Sequence, residues 1–463
     1  MGKKIIVAGA GHGGVAVAAL LAKAGLDVTV YERLPQEKLG YDWFDAVNPA
    51  IFHKIGCPHP EEAGIPWQWR ADVTYFGPNT SDEHKITQRF KKQDEIEIVM
   101  ERRDIYRLLC GYAVDCGAKI FYGVSIKGPI VRNDRVVGIE TDQGEFFADL
   151  VIDAAGMHSV LRKNLPDSFG IQKEISKNER IYTYRAFYDL PVPSESVEDV
   201  FKVMFHPDPD EDFGLSWIYT RENYTDLLIG RMEPPTEEEI QTISDRYREK
   251  NPQLGRLRLR GGQTVPIPFR RPLSVLIADG YAAIGDVAVM TMPLNCSGMS
   301  VSLEVAVILA ESILADTEGK YTADTLWTYE YRFFKEIGKN MAPIALVKDV
   351  IVSLTREQLD YAFDKGIITY RELSITAYQH SIWEFLHFDP KLPVRGIRLM
   401  KDKVLLKKCL GAVKDTIAFL SHARRLPKKY DREKVRKWAK KYDGIFTRRF
   451  GKLFPKWMDN ENK

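Results

Sequence analysis

The chain has 463 residues, 44% hydrophobic and 28% charged, an ordinary balance for a globular protein with a large core and two or three domains. The net charge of +2 hides an asymmetry, because residues 391–463 carry 23 Lys/Arg against 7 Asp/Glu while the rest of the chain stands at −14. Five cysteines (Cys57, Cys110, Cys116, Cys296, Cys409) form no C-x-x-C pair, which argues for a reducing, cytoplasmic setting and against a disulfide frame or a structural metal.

The first residues lead directly into a strand, Lys3 to Ala8, so no secretory signal is expected ahead of the fold. Gly9-Ala10-Gly11-His12-Gly13-Gly14 follows, then a helix from Val15 to Leu21 and a second strand, Asp27 to Tyr31, closing on Glu32. This order has a chemical reason. Gly9 permits the tight turn, Gly11 the approach of a pyrophosphate, and Gly14 close helix packing, while the helix N-terminus offers N–H groups to phosphate. Glu32, 18 residues past Gly14, is placed to accept ribose hydroxyls, with Arg33 beside it. A dinucleotide site is therefore expected at Gly9, Gly11, His12, Gly13, Gly14, Glu32 and Arg33.

Residues 34–98 are mixed: 39–56 reads as a connection with a short helix, and Trp67–Arg70 and Val73–Phe76 as strands of another sheet. A helix starts at Arg102-Arg103, a strand returns at 118–122, and 131–141 with 145–147 reads as one hairpin about Asp142-Gln143-Gly144. Leu150–Asp153 is a buried strand running into Gly156. Runs at 181–188, 200–205, 215–219 and 225–232 read as an antiparallel sheet, followed by a helix from Thr236 to Lys250. Strands at 275–277 and 281–284 lead into Gly285-Asp286, and a long helix runs from Ser300 to Ala315. That apolar region, 274–315, is interrupted by Asp279, Asp286 and Glu304, so it is not expected to span a membrane. Beyond 325 the pattern is helical, broken near Pro390, Pro393, Pro427 and Pro455.

Three motifs stand in order: the glycine turn, the segment from Asp153 to Arg162, and Gly285-Asp286 with Pro293-x-x-Cys296-x-Gly298. Their order resembles the flavoprotein superfamily of aromatic hydroxylases (the p-hydroxybenzoate hydroxylase type) and the geranylgeranyl reductases, over residues 3–340. The resemblance implies an α/β protein: a Rossmann-like FAD-binding domain of the glutathione-reductase type over 1–66, 99–177 and 271–340. A substrate domain over 67–98 and 178–270 is interleaved with it, and 341–463 forms a basic helical C-terminal region. It also implies that Glu32 holds the adenosine ribose, Arg103 touches FAD, and Asp286 holds the ribityl hydroxyls. Gly156, Ser159 and Arg162 match the middle motif, where Ala155 stands in place of a frequent aspartate. An alternative for Asp286 is a helix N-cap. Pro293, Gly298 and Met299 would face the flavin, with the helix after Gly298 stabilising its reduced anion.

Cys296 replaces the first glycine of the family's Gly-x-Gly, and two readings stand: a proton donor beside the flavin, or a small buried hydrophobe. Gly214 to Thr220 looks like the aromatic substrate motif of geranylgeranyl reductases. Trp217 and Tyr219, with Tyr182, Tyr184 and Phe187, would then wall an apolar substrate cavity, with Asn295 at its edge and Tyr219 as a second proton donor; a plain sheet core is the alternative. The expected activity is FAD-dependent reduction of a C=C bond in a prenyl or other apolar, lipid-like substrate. NAD(P)H or another donor would bind transiently. A flavin monooxygenase of an aromatic or apolar substrate is the second reading, and a membrane-docking or partner-binding flavoprotein with little turnover the third. The basic C-terminal region suits peripheral membrane contact or a solvated surface, and nucleic acid is not an expected partner. Metal ligands are not expected.

Overall fold

The structure is a computed structural model, and it describes residues 3–89, 97–206, 213–374 and 392–454. Its central sheet has six strands in the order Ile277–Ala278, Tyr281–Ala283, Leu150–Asp153, Lys4–Ala8, Asp27–Glu32 and Lys119–Tyr122. Every pair is parallel except the first. A parallel sheet covered on both faces needs apolar residues at successive positions, and Ile5, Ile6, Val7 and Ala8 are all buried. The helices His12–Lys23 and Met299–Ala315 pack against each other beside this sheet.

The turn between the first strand and the first helix is set by backbone geometry. Gly9 has φ +91°, and its N–H donates to Tyr31 O at 2.8 Å, tying the turn to the second strand. Gly14 is demanded by packing: a Cβ there would sit 2.5 Å from Ala154 Cβ and 3.1 Å from Gly9 O. Both neighbours belong to rigid turns, so Gly14→Ala is expected to overpack the junction and cost about 1–3 kcal/mol. A thermal melt of the variant equal to wild type would contradict this.

A second sheet has seven strands in the order Arg258–Pro268, Arg180–Asp189, Tyr224–Arg231, Gly214–Thr220, Phe201–Phe205, Val73–Phe76 and Ile86–Gln88. It is antiparallel except between Phe201–Phe205 and Val73–Phe76. The helix Glu237–Lys250 begins where expected, and the structure adds a reciprocal cap between Thr236 and Glu239.

Four sequence expectations are corrected. The strand Arg258–Pro268 was not anticipated, because it carries Gly261 and Gly262 at φ +74° and +91° and contains prolines. The glycines make a bulge against Arg185 and Ala186, and the prolines are tolerated at a sheet edge. Gln68–Trp69 does not join the large sheet; it pairs with Ile98–Glu101, which also pairs with Phe44–Val47, a strand inside the expected connection. The hairpin near 140 is two hairpins: Asn133 and Asp134, at φ +50° and +58°, turn between Ile126–Arg132 and Arg135–Thr141 before Gly144–Phe147 returns. Pro393 lies in the first turn of the helix Leu392–Leu399 rather than breaking one, while Pro390 and Pro455 lie outside the described residues.

The C-terminal helices share cores with both sheets. Phe334 meets Trp438 at 4.9 Å between ring centroids, and Tyr442 donates to Pro272 O. Leu359 and Phe363 pack with Val203 and Phe205 of the large sheet.

Candidate functional site

One long cleft of about 840 Å³ runs from the glycine turn to the inner face of the large sheet. At its first end Glu32 leaves the second strand and braces the turn, accepting from Ala10 N and Leu34 N, each at 2.8 Å. Gly9, Gly11, His12, Gly13, Gly14, Arg33 and Gly156 line the same end. Gly11 has a packing duty as well, since a Cβ would lie 2.8 Å from Ala154 O. His12 stacks on Tyr106 at 4.4 Å, and its Nε2 is buried without a hydrogen-bond partner among the described residues. Burial, with the Arg102 charge adding to it, lowers the His12 pKa to about 4, so the ring is neutral.

The arginine expected at the cleft, Arg103, does not reach it. Arg103 is exposed and off the cleft, whereas Arg102 lines it. Arg102 is held by a two-pronged pair with Asp45 of the strand Phe44–Val47, its Nη2 reaching Oδ1 at 2.8 Å. Burial works to raise the Asp45 carboxyl, but the Arg102 guanidinium outweighs it and holds the pKa below the usual range. The pair brings the first turn of the helix Arg102–Asp115 to the cleft, and no local pattern announces Asp45.

The middle motif is a brace. Asp153 is fully buried and accepts from Ala155 N, Ser159 Oγ and Tyr281 Oη. Burial raises its pKa. Arg162, also buried, donates to Met157 O and to Val287 O, joining this turn to the one that carries Asp286. Asp286 does not cap its short helical turn. Its carboxylate is exposed to the cleft and accepts from Thr291 Oγ1 at 2.7 Å, and desolvation by the surrounding cleft walls pushes its pKa above the usual range. Gly285, Asn295, Cys296, Gly298 and Met299 line the cleft beside it; Pro293 is buried behind the loop. Cys296 has φ +56°, a left-handed backbone that glycine adopts without strain and other residues rarely take. Burial pushes its thiol up to about 12, so Sγ keeps its proton.

Beyond the loop the wall is the large sheet. Period-two alternation decides which side chains face in. On Gly214–Thr220, Leu215, Trp217 and Tyr219 line the cleft. On Arg180–Asp189 the inward member is Arg185, with Phe187 in the aromatic cluster beside it. Tyr182 and Tyr184 therefore face the other way: Tyr184 bonds Tyr188 and packs with Ile243 and Tyr247 under the helix Glu237–Lys250. The expectation that they wall the cavity is corrected by that parity. Tyr219 stacks on Phe201 at 4.4 Å, and its hydroxyl accepts from Arg221 and Ala71 N. Val203, Phe205 and Ile267 extend an apolar lining.

The pair Arg185–Asp226 was missed. Arg185 is 3% exposed and Asp226 is fully buried, bridged by bonds of 2.9 and 2.8 Å, and Trp217 Nε1 donates to the same carboxylate at 3.0 Å. An arginine and an aspartate each standing alone in an apolar strand were the available signal.

The sequence pattern of the NAD(P)-binding Rossmann-like domain matches residues 7–59. Across most of the chain the likeness is to a digeranylgeranylglycerophospholipid reductase of Sulfolobus acidocaldarius, 21% identical and covering 80% of this chain and 82% of that protein. Among solved structures, a geranylgeranyl bacteriochlorophyll reductase-like protein of Thermoplasma acidophilum superposes with a TM-score of 0.69 at 17% identity, covering 87% of this chain and 99% of its own. The resemblance to geranylgeranyl reductase-like flavoproteins holds. The reductase-like fold is shared with PqsL of Pseudomonas aeruginosa, a probable FAD-dependent monooxygenase, at TM-score 0.58 and 18% identity, covering 78% of this chain and 99% of that one.

The residues present fit FAD. The buried His12 Nε2 has no partner among the described residues, the Glu32 oxygens have lone pairs beyond their backbone donors, and the Asp286 carboxylate opens into the cleft. Among the described residues no cluster able to hold a metal occurs, and no helix is long and apolar enough to cross a membrane.

Proposed function

We propose that the chain is an FAD-dependent oxidoreductase that reduces C=C bonds of a prenyl or other apolar, lipid-like substrate. One observation carries the reading: the glycine turn, Asp286 and an aromatic, apolar sheet face all line a single cleft. Bound FAD supplies hydride transfer, which no side chain here can perform. Glu32 and Asp286 would hold it at the two turns, with Arg102 and His12 between. Phe201, Val203, Phe205, Leu215 and Trp217 exclude water and orient an apolar chain. The protonated Cys296 Sγ is the proposed source of the proton, with the Tyr219 hydroxyl the second candidate. A substrate of this kind comes from a membrane surface, and the basic C-terminal region would meet that surface.

The test is anaerobic. Reduced holoprotein mixed with a geranylgeranyl lipid should regain its flavin absorbance and yield a more saturated lipid, with Cys296→Ala slowing the step about 10²-fold. Reduced flavin that ignores the lipid, yet turns over with oxygen and an aromatic substrate, would replace this reading with a monooxygenase.

A further inference from the structure

The helices Lys403–Ala423 and Arg432–Leu453 hold much of the basic excess, and the cleft uses none of it. Their inner faces are committed to the core through Phe419, Trp438, Tyr442 and Phe446. The outer face of Lys403–Ala423 is different. Leu410, Val413 and Ile417 recur at i, i+3 and i+7 and are 59%, 41% and 56% exposed. Lys403, Lys407 and Lys414 share that face and are exposed.

Near the C-terminal end of this face a cleft of about 370 Å³ opens between the two helices, lined by Ser421, His422, Arg425, Lys441 and Arg448. Among the described residues no acidic side chain lines it; the Asp415 carboxylate stands 3.9 Å from the Arg448 guanidinium. His422 is 5% exposed, and its Nε2 lies 2.9 Å from Trp438 O. A carbonyl only accepts, so Nε2 carries the proton and Nδ1 of the neutral ring presents a lone pair. That Nδ1 is buried with no partner among the described residues.

We propose that this face docks on an anionic bilayer: Arg425, Lys441 and Arg448 take one headgroup phosphate, His422 Nδ1 accepts from a headgroup hydroxyl, and Leu410, Val413 and Ile417 enter the acyl boundary. Apolar contact and cationic attraction are each too weak alone, and stable docking needs both. The inference deepens the lipid-substrate reading and rests on it for its purpose, but vesicle binding is read without turnover. Lipid that binds as vesicles yet fails to re-oxidise the flavin would therefore sink only that reading.

The test sediments the full-length holoprotein with phosphatidylcholine vesicles, with and without phosphatidylglycerol. Binding is expected only when phosphatidylglycerol is present. The exposed pair Arg425→Gln with Lys441→Gln should weaken it roughly twenty-five-fold, at about fivefold per cation. Leu410→Ser with Ile417→Ser should abolish it while the bound-flavin spectrum stays unchanged. Vesicle binding absent from wild type, or equal in the variants, overturns the proposal. So does a thermal shift by inorganic phosphate without vesicle binding, which marks a free-phosphate site. A dimer that Leu410→Ser with Ile417→Ser converts to monomer would instead assign the face to a second copy.

Discussion

Asp226→Ala is expected to destabilise the protein by about 3–5 kcal/mol, because it leaves the Arg185 guanidinium buried and uncompensated. The wild-type arrangement satisfies that charge on every side. Nε and Nη2 reach the two Asp226 oxygens, and Nη1 donates to Phe44 O at 2.8 Å. The Phe44 ring lies 4.2 Å and the Trp217 ring 5.1 Å from the guanidinium carbon. Without the carboxylate only the carbonyl and the ring faces remain, and neither replaces an ion. Trp217 also loses the acceptor of its Nε1 and with it the bond that fixes its ring on the cleft wall. Urea unfolding should show a lower midpoint at unchanged slope. The decisive companion is Arg185→Met with Asp226→Leu, which removes both charges and should recover most of the loss. A double variant as unstable as the single one would mean that shape, not charge compensation, sets the cost.

How much of this was legible from residues alone follows from the range of each interaction. The glycine turn and Glu32 are legible because strand, turn, helix and acid lie within a few tens of residues and each part has its own chemical reason, whereas Asp286 is singled out only by the resemblance. Tyr182 and Tyr184 misled because composition groups aromatics while the pleat separates them: a step of one residue sends a side chain to the opposite face. Phe187 sits on the inner face and Tyr184 on the outer. Sequence does not distinguish Arg102 from Arg103, because Arg102 is held at the cleft by Asp45, 57 residues away, on a strand with no hairpin or periodic signal. Arg185 and Asp226 lay in strands correctly anticipated, yet their pairing required knowing that those strands are neighbours. Cys296 is a different case. The sequence shows a cysteine where the resemblance expects glycine, and only the backbone shows that the position takes a left-handed conformation, which favours glycine.

The second large effect concerns Glu330, whose removal should stabilise the protein. It is fully buried under the central sheet; Oε2 accepts from Leu276 N at 2.7 Å, while Oε1 has no partner among the described residues. Burial raises its pKa from 4.5 to about 8, against the pull of its backbone donors. The folded protein therefore keeps a proton that the unfolded chain releases near pH 4.5. Between those two values the native state binds more protons than the unfolded state, so stability falls as pH rises, by about 1.4 kcal/mol per unit. The deficit reaches about 3 kcal/mol at pH 7 and levels off above pH 8. Glu330→Gln cannot ionise, and its amide oxygen can still accept from Leu276 N. The variant should match wild type near pH 4.5 and gain steadily up to pH 8, where its melting temperature should be several degrees higher. Because the comparison is between two proteins at each pH, the other titrating groups cancel. A gain independent of pH would trace the effect to packing; no gain at all would mean that Glu330 ionises in place.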